Sequence, residues 1–374
     1  MSELKKVTFV SLADLSEKNG QGIYARKVLP QIVQGLDSDT TIVDLICPEP
    51  KYNSNFKNEF TSSVQWRFFS KKINRSLIWH FKTQISILLY LLKRKPDVVV
   101  FSIKPSLFSI EIARWFIGFE KVILVEGLGS KNLKTLGGKS VVYLGNLGYK
   151  LNFYKAKAII PAYKSAFEWV KTLNSHGYKE IIPCGVDTDV FKPVKDSELS
   201  STEKITIGYV GSFRNVHRLD ILLNLLVINE SLSVVLIGNG EMYDEVQAFV
   251  NANKLNERVS FVGPIEQNQI PSYISSCNMM WAYTDISHWG VPIKAFEYLS
   301  CNKFVIASKR PEFNFIEEYG FGVTLSTDNV NEISLILNDI ITRAKDEKIF
   351  DIDSFSYISL NNNWNNFKKV SGFI

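Results

Sequence analysis

Residues 204–241 read KITIGYVGSFRNVHRLDILLNLLVINESLSVVLIGNGE, and this stretch decides the fold class. Two apolar runs rich in β-branched residues, 205–210 and 233–238, flank a glycine-containing loop and a helical pattern over 219–229. Continuous apolar runs bounded by turns are typical of strands that are buried on both faces of a parallel sheet. Because a helix joins them, the segment predicts a βαβ unit and an α/β fold.

The same alternation of apolar runs and helical patterns continues on both sides of this segment. A polar stretch over 192–203, KPVKDSELSSTE, separates two such series. We therefore predict two doubly wound, Rossmann-like domains, one over 1–185 and one over 204–350, and a C-terminal helix over 351–374 that packs back on the first domain. The runs that predict further strands are 7–12, 41–47, 97–103, 122–125, 158–161, 259–263, 279–283 and 304–307.

Length and composition indicate a globular protein with more than one core. The chain has 374 residues, of which 45% are hydrophobic and 22% charged, and this length exceeds that of an ordinary single domain. Its longest apolar run after the N-terminus, 85–92, is far shorter than the roughly 20 residues of a membrane-spanning helix. The N-terminal apolar run is too short for a signal peptide. The four cysteines form no CxxC pair, which predicts reduced thiols and a cytoplasmic location.

Positive charge is concentrated in the first half of the chain. Residues 1–200 hold 29 Lys and Arg against 18 Asp and Glu, although the whole chain carries only +5. A basic half attracts anions, and aromatic side chains among cations suit a membrane interface. Two interpretations stay open for 66–95: contact with the inner face of a membrane, or core aromatics with solvated cations. The residues concerned are Trp66, Phe68, Phe69, Trp79 and Phe81, interleaved with Arg67, Lys71, Lys72, Arg75, His80 and Lys82. No nucleic-acid motif is present, so we predict no nucleic-acid partner.

Several segments resemble, in order and spacing, the motifs of family 4 glycosyltransferases. They are IPCGVDTDVFKP (182–193), GYVGSF (208–213), VLIGNGE (235–241), VSFVG (259–263), PIKAFEYLS (292–300) and FVIAS (304–308). The resemblance implies a GT-B fold, in which two Rossmann-like domains face each other across a cleft. It also implies a nucleotide-sugar donor in the C-terminal domain and retention of anomeric configuration. Within the family, Lys294 and the Gly127-Leu128-Gly129 loop are similar to those of bacterial capsule, O-antigen and exopolysaccharide enzymes.

The PIKAFEYLS segment carries the strongest single-residue prediction. Pro292 suits the first turn of a helix, and Lys294 and Glu297 lie three residues apart and so share a face. The resemblance implies that Glu297 binds the donor ribose hydroxyls, whereas the alternative is a surface ion pair. The family's second glutamate is replaced by Trp289, so sugar recognition would fall to Asp285, His288 or the backbone around Gly290 and Val291.

Stabilisation of the diphosphate is expected to need no metal ion. The sequence contains no carboxylate cluster, and Asp187 and Asp189 are better explained by a turn. Backbone amides, helix N-termini and cations can hold a diphosphate instead. The family's arginine position is Ser212 here and its lysine position lies near His217, so Arg214, Arg218 or backbone amides would supply the contact. The other predicted donor-binding residues are Gly20 and Gly22, Gly211, Gly238-Asn239-Gly240, and Gly263 with Ile265.

Glu126 stands where many members of the family have a histidine that faces the reacting sugar. A carboxylate at a strand end can bind a sugar or acceptor hydroxyl, and it can equally be a structural group. We list it with Glu297 as a candidate catalytic residue.

The resulting hypothesis is a retaining hexosyl- or N-acetylhexosaminyltransferase of surface polysaccharide biosynthesis. It would move a sugar from a nucleotide diphosphate donor, with UDP as the expected nucleotide, to a lipid-linked saccharide at the inner membrane face. No cofactor or metal is expected. Two alternatives remain: a GT-B epimerase that acts on a UDP-sugar, and a catalytically silent subunit that binds nucleotide as a scaffold.

Overall fold

The structure is a computed structural model. It describes residues 4–15, 20–34, 36, 40–50, 64–69, 77–104, 107–126, 139–173, 177–194, 204–285 and 293–343. Contacts divide the chain into two compact units, with the boundary between Cys184 and Gly185. No helix in these ranges is long and apolar enough to cross a lipid bilayer.

The first unit is built on a seven-stranded sheet in which every described pairing is parallel. The strand order is β3-β2-β1-β4-β5-β6-β7, so the direction of winding changes between β1 and β4. The strands are β1 Lys5–Val10, β2 Thr41–Cys47, β3 Val64–Phe68, β4 Val98–Ser102, β5 Glu120–Val125, β6 Ala158–Pro161 and β7 Tyr178–Lys179. The helices are α1 Gly20–Gln34, α2 Leu77–Arg94, α3 Phe108–Ile117, α4 Lys139–Phe153 and α5 Lys164–Thr172.

The second unit repeats this plan with six parallel strands in the order β10-β9-β8-β11-β12-β13. The winding direction changes between β8 and β11. The strands are β8 Ile205–Val210, β9 Leu232–Ile237, β10 Val259–Gly263, β11 Met279–Ala282, β12 Phe304–Ser308 and β13 Gly322–Leu325. The helices are α6 Leu219–Ile228, α7 Tyr243–Ala252, α8 Ile270–Ser276, α9 Ile293–Ser300, α10 Asn314–Glu318 and α11 Val330–Arg343.

Burial explains why the decisive stretch of sequence reads as it does. The central strands β1, β4 and β8 are covered on both faces, and side chains such as Val7, Val100 and Ile207 are almost completely buried. Helix α6 is apolar nearly all round because it contacts both β9 and α11. Leu222 and Leu225 are fully buried as a result. A helix between two layers has little surface left for polar residues.

The predicted fold class is confirmed: both units are parallel α/β sheets of the Rossmann-like kind. Strands β3, β7 and β13 were not predicted. All three lie at sheet edges, and β3 buries only Val64 fully. An edge strand needs no continuous apolar run, because one side of it is open to solvent. The predicted helix over 351–374 lies outside the described residues.

Candidate functional site

The candidate site lies at the carboxyl edge of the second sheet, where β8 and β11 are neighbours. The chain leaves these two strands in opposite directions, which opens a crevice between the loops that follow them. The Gly211 loop follows β8, and the chain after β11 passes through Thr284 and Asp285. The backbone amide of Asp285 donates to the Val216 carbonyl at 2.8 Å, so the two loops are joined.

Helix α9 is held at this edge by Tyr298, whose side chain is fully buried. The Val210 amide donates to the Tyr298 hydroxyl at 2.9 Å, and the hydroxyl donates back to the Val210 carbonyl at 3.3 Å. Val210 is the last residue of β8. Because the helix is fixed to the end of that strand, Lys294 and Glu297 in its first two turns are placed at the crevice.

Lys294 makes the most informative contacts of the site. Its Nζ donates to the Tyr209 hydroxyl at 3.1 Å and lies 4.2 Å from the centroid of the Tyr209 ring. The His217 Nδ1 is 3.5 Å from the same Nζ. The Tyr209 hydroxyl in turn donates to the Ser212 carbonyl at 2.7 Å, so the phenol is committed on both sides.

Burial determines the charge state of this lysine. Desolvation lowers the pKa of Lys294 to about 7, although the nearby charge of Glu297 acts in the opposite direction. A phenol and an imidazole compensate a desolvated ammonium less well than a carboxylate would. The site therefore holds an amine that would gain from an anion beside it.

The Gly211 backbone approaches this amine closely. Its φ is +146°, and a Cβ there would lie 3.0 Å from the Lys294 Nζ and 3.2 Å from the Tyr209 hydroxyl. Any side chain would therefore occupy the space beside the amine. The geometry brings together Gly211, Ser212, His217, Lys294 and Glu297 of the predicted donor-binding residues, and it adds Tyr209, which the sequence reasoning missed.

The glycines after β9 have a structural explanation. Gly238 has a φ of +125°, and a Cβ there would lie 2.1 Å from the Gly211 carbonyl oxygen. A Cβ on Gly240 would lie 2.5 Å from the backbone of Phe213. Asn239 accepts from the Phe213 amide at 3.0 Å through its carbonyl and holds the Gly240 amide with its side chain at 2.7 Å. We therefore assign these residues to loop packing, which shapes the crevice without requiring a ligand.

The loop after β10 continues this arrangement. The Gly263 carbonyl accepts from the Gly238 amide at 2.9 Å, so the loops after β8, β9 and β10 are joined in sequence. Ile265 packs against the apolar cluster that includes Val186 and Phe296. These contacts are again internal to the unit, and a role of Gly263 and Ile265 in donor binding remains a prediction.

The two arginines of the Gly211 loop have different environments. Arg218 caps α6 with a φ of +47°, and its guanidinium pairs with Asp220 at 3.0 Å and with Asp328. Two carboxylates already balance its charge, so a contact between Arg218 and the diphosphate would have to replace these ion pairs and remains a prediction. Arg214 is exposed, and its guanidinium lies 3.8 Å from the Glu241 carboxylate. Such an exposed pair contributes little energy, so Arg214 is free to turn toward an anion.

At the corresponding edge of the first unit, Glu126 directly follows β5 and lies next to the end of β4. The Ser102 hydroxyl donates to the Glu126 carboxylate. Burial raises the pKa of Glu126, while the charge of Lys104 and the bond from Ser102 act to lower it. Ser102 and Lys104 were missed from the sequence, although both stand at the end of a predicted strand, where ligand-binding residues collect.

The structure also shows the positions of two glycines in the first unit and of the Asp-x-Asp pattern just after the boundary between the units. Gly20 and Gly22 lie in the first turn of α1, and their contact with the donor remains a prediction. The Asp187 carboxylate accepts from the Asp189 amide at 3.0 Å and from the Val190 amide at 3.4 Å. This turn explains the Asp-x-Asp pattern without a metal. Within the described ranges, no group of three or more His, Cys, Asp or Glu could hold a metal ion.

Several predicted positions lie outside the described residues. They are the loop around Gly127 and the segment before α9, which contains His288, Trp289, Gly290, Val291 and Pro292.

Comparison with known protein families gives a match in the second unit. Residues 191–351, fewer than half of the chain, match the family Glycosyl transferases group 1. No curated protein sequence matches the chain. The match lies within the second unit and includes Lys294 and Glu297.

Solved structures resemble the whole chain at low identity. Sucrose-phosphate synthase from Thermosynechococcus elongatus is 18% identical with a TM-score of 0.69, and the match covers 98% of this chain and 94% of that chain. The Anabaena protein HepE in complex with UDP is 16% identical with a TM-score of 0.67, over 98% and 95%. A glycosyltransferase from Rickettsia africae ESF-5 is 12% identical with a TM-score of 0.73, over 100% and 99%. These similarities establish a GT-B-like fold.

Proposed function

We propose that this chain is a glycosyltransferase whose nucleotide-sugar donor binds at the carboxyl edge of the second sheet. The observation that carries the proposal is the desolvated Lys294 amine beside the Gly211 backbone, where any side chain would crowd the amine. Two further findings support it: the family match covers this unit, and the related HepE structure contains UDP. UDP is accordingly the nucleotide that we propose.

The role of Lys294 follows from the chemistry of the leaving group. Transfer breaks the bond between the anomeric carbon of the sugar and a phosphate oxygen, and negative charge grows on the departing diphosphate. A diphosphate beside Lys294 raises the pKa of the amine and holds its proton, because the charged pair is stable where the lone ammonium is not. The resulting ammonium stabilises the charge that develops in the transition state.

Glu297 would orient the nucleoside. It lies one helical turn after Lys294 on α9, and its side chain is half-buried. A carboxylate that accepts from two vicinal ribose hydroxyls makes charge-assisted hydrogen bonds, which are stronger than neutral ones. Together, Lys294 would bind the diphosphate and Glu297 the ribose of the same nucleotide, from a single helix.

We also propose the stereochemistry of the reaction and the class of its acceptor. The reaction retains anomeric configuration, and the acceptor is a lipid-linked saccharide of surface polysaccharide synthesis, made in the cytoplasm at the inner membrane face. The motif resemblance supports the first statement, and the basic, aromatic character of the first half supports the second. Glu126, held by Ser102, is proposed to accept a hydrogen bond from an acceptor or sugar hydroxyl.

Calorimetry of UDP binding at pH 8 tests the donor site. Most of the Lys294 amine is neutral at this pH in the free protein, so binding should take up close to one proton. Titrations in buffers of different ionisation enthalpy measure that uptake. Lys294→Met should abolish it and weaken UDP by about tenfold or more, the value of one hydrogen bond to a charged group.

Lys303→Met is the matched control. Burial also lowers the pKa of Lys303, but its Nζ donates to the Ser275 carbonyl at 2.6 Å. This variant should bind UDP like the wild type. Equal UDP affinity in Lys294→Met and wild type would mean that the donor site lies elsewhere.

Product analysis separates the proposal from its alternatives. With a UDP-sugar and a saccharide acceptor, we expect a new glycosidic bond with the donor's anomeric configuration, read by NMR. An epimeric UDP-sugar formed without acceptor would identify an epimerase. UDP binding without donor turnover, across a panel of donors and acceptors, would favour a scaffold.

A further inference from the structure

Helix α2 carries a row of apolar side chains that faces away from its own unit. Its buried side consists of Trp79, Thr83, Ile87 and Leu91, spaced one helical turn apart. The opposite side carries Ile78, Phe81, Ile85 and Leu89, of which Ile78, Phe81 and Leu89 are exposed by 69%, 68% and 61%. A surface helix normally places polar residues on its outer side. The outer side of α2 is apolar as well as its buried side, which is typical of a surface helix that has a further partner.

Helix α3 extends this apolar face. The two helices contact each other, and both return from the carboxyl edge to the amino edge of the sheet, so they run in the same direction. Trp115 and Phe116, near the end of α3, are exposed by 69% and 75%. We call Ile78, Phe81, Ile85, Leu89, Trp115 and Phe116 together the α2–α3 face.

The orientation of α3 is set from its inner side. Lys121, fully buried on β5, forms an ion pair with Glu111, and Arg114 donates to the same carboxylate at 3.0 Å. Turning the helix inward would separate this buried pair, and an unpaired buried charge is costly. The exposed position of Trp115 and Phe116 is therefore built into the packing of the unit.

The charges on this face are positive. The sequence of α2, LIWHFKTQISILLYLLKR, contains no Asp or Glu. Lys82 and Lys93 are exposed on the same side as the apolar row, and Lys95 is exposed just after the helix. Long lysine stems can lie along an apolar layer while the ammonium reaches the polar boundary.

We propose that the α2–α3 face docks on the surface of an anionic lipid bilayer. Apolar side chains with lysines at the same level match the boundary between acyl chains and anionic headgroups. A second copy of the chain fits less well, because a symmetric contact would bring the lysines of both copies together in one buried patch. This inference does not depend on the proposed donor chemistry, because all of its residues lie in the first unit.

Vesicle co-sedimentation tests the docking surface. The full chain should bind vesicles of phosphatidylcholine mixed with phosphatidylglycerol more tightly than phosphatidylcholine alone. Binding should fall as salt rises, since the lysine attraction is screened. The triple variant Ile78→Ser, Phe81→Ser, Leu89→Ser should lower the partition coefficient by about tenfold or more, because three inserted apolar side chains are lost.

A matched variant removes exposed apolar residues from the second unit. Val227→Ser, Ile228→Ser, Leu335→Ser alters α6 and α11, where Leu335 is 72% exposed. This control should bind vesicles like the wild type. All variants should keep the wild-type melting temperature and UDP affinity, which separates a failure of docking from a failure of the donor site.

Two further measurements keep the test decisive if the triple variant does not fold. Lys82→Gln with Lys93→Gln should remove the preference for phosphatidylglycerol, and brominated lipids should quench wild-type fluorescence more than that of Trp115→Phe. Equal binding by the triple variant and its control would overturn the proposal. A second result would also overturn it: the wild-type protein is a dimer by light scattering and does not bind vesicles, and the triple variant is a monomer. That result would assign the face to a second copy of the chain.

Discussion

Lys294 and Glu297 lie one turn apart on helix α9, at the carboxyl edge of the second sheet. The pKa of Lys294 is lowered to about 7 by burial. Burial of this lysine therefore lowers the free energy of unfolding of the unliganded protein, as is common for residues that bind charged substrates. The buried side of α9 packs against the unit, whereas the side of its first two turns that faces the crevice carries the residues proposed to bind the donor.

Lys294→Met should raise the melting temperature of the unliganded protein. The unfolded chain keeps the lysine proton up to pH 10.5, whereas the folded chain keeps it only up to about 7. The lysine therefore lowers stability below pH 10.5, and the deficit grows as the pH falls toward 7. The difference in melting temperature between variant and wild type should be larger at pH 7 than at pH 10. A variant less stable than wild type at both values would contradict the assigned burial cost.

Glu297→Gln should lower UDP affinity by about tenfold or more, since each lost hydrogen bond to a charged group is worth roughly 1.5–3 kcal/mol. Glu297→Ala should lower it further. The melting temperature should stay near that of wild type, because the side chain is only half-buried. Calorimetry with UDP beside a melting curve makes the measurement. Wild-type affinity in Glu297→Gln, or loss of the fold, would make Glu297 a structural residue.

At the scale of elements, the carboxyl edge of the second sheet is a set of joined loops. The loops after β8, β9 and β10 are linked by the Gly211, Phe213 and Gly238 backbone bonds. The close approach of two backbones at Gly238 is possible only without a side chain. The loops thus form one rigid rim, and Tyr298 fixes α9 to the strand beside it.

Two glycines with positive φ allow a matched test of this rim. A Cβ at Gly238 would lie 2.1 Å from the Gly211 carbonyl, whereas a Cβ at Gly263 meets nothing within 4 Å. Gly263→Ala should cost about 1 kcal/mol from backbone strain alone. Gly238→Ala should cost clearly more and should also weaken UDP, because Gly211 must move. Denaturant unfolding with UDP titration measures both, and equal costs would show that the loops are not closely packed.

For the molecule as a whole, both units place chemical groups at the carboxyl edge of a parallel sheet. The second unit presents Lys294 and Glu297, and the first presents Glu126 with Ser102 and Lys104. The first unit also carries the outward-facing α2–α3 face. This division suits a donor site in one unit and contacts with acceptor and lipid in the other.

Donor turnover should persist in excess EDTA. The described residues offer Lys294, which a bound diphosphate would protonate, and no group of three or more His, Cys, Asp or Glu that could hold a metal ion. The charge of the leaving group would therefore be met by protein groups. Release of UDP from a UDP-sugar, with and without EDTA, is the measurement. Complete loss of activity that magnesium or manganese restores would require a metal in the mechanism.

The fold class followed from local patterns, because strands covered on both faces must be continuously apolar. The run at 158–161 coincides with β6, which is buried along its whole length, for this reason. The edge strands β3, β7 and β13 escaped detection because solvent on one side relaxes that requirement, whereas the edge strand β10 still carries an apolar run. Candidate residues such as Glu126 and Gly211 were named from the motif resemblance, and both stand at the ends of predicted strands, whose carboxyl ends collect on one edge of a parallel sheet.

Only the tertiary structure decided which candidates meet. Tyr209 and Lys294 are 85 residues apart in the chain, and their contact depends on Tyr298 fixing α9 to β8. The Arg218 side chain has the charge and the donors of a phosphate ligand, but Asp328, 110 residues away, forms one of its ion pairs. Phe81 points away from the core, whereas Trp79 is buried, although the sequence placed both in one aromatic stretch. Sequence patterns report the period of an element, whereas the partner of each side chain depends on how distant elements pack together.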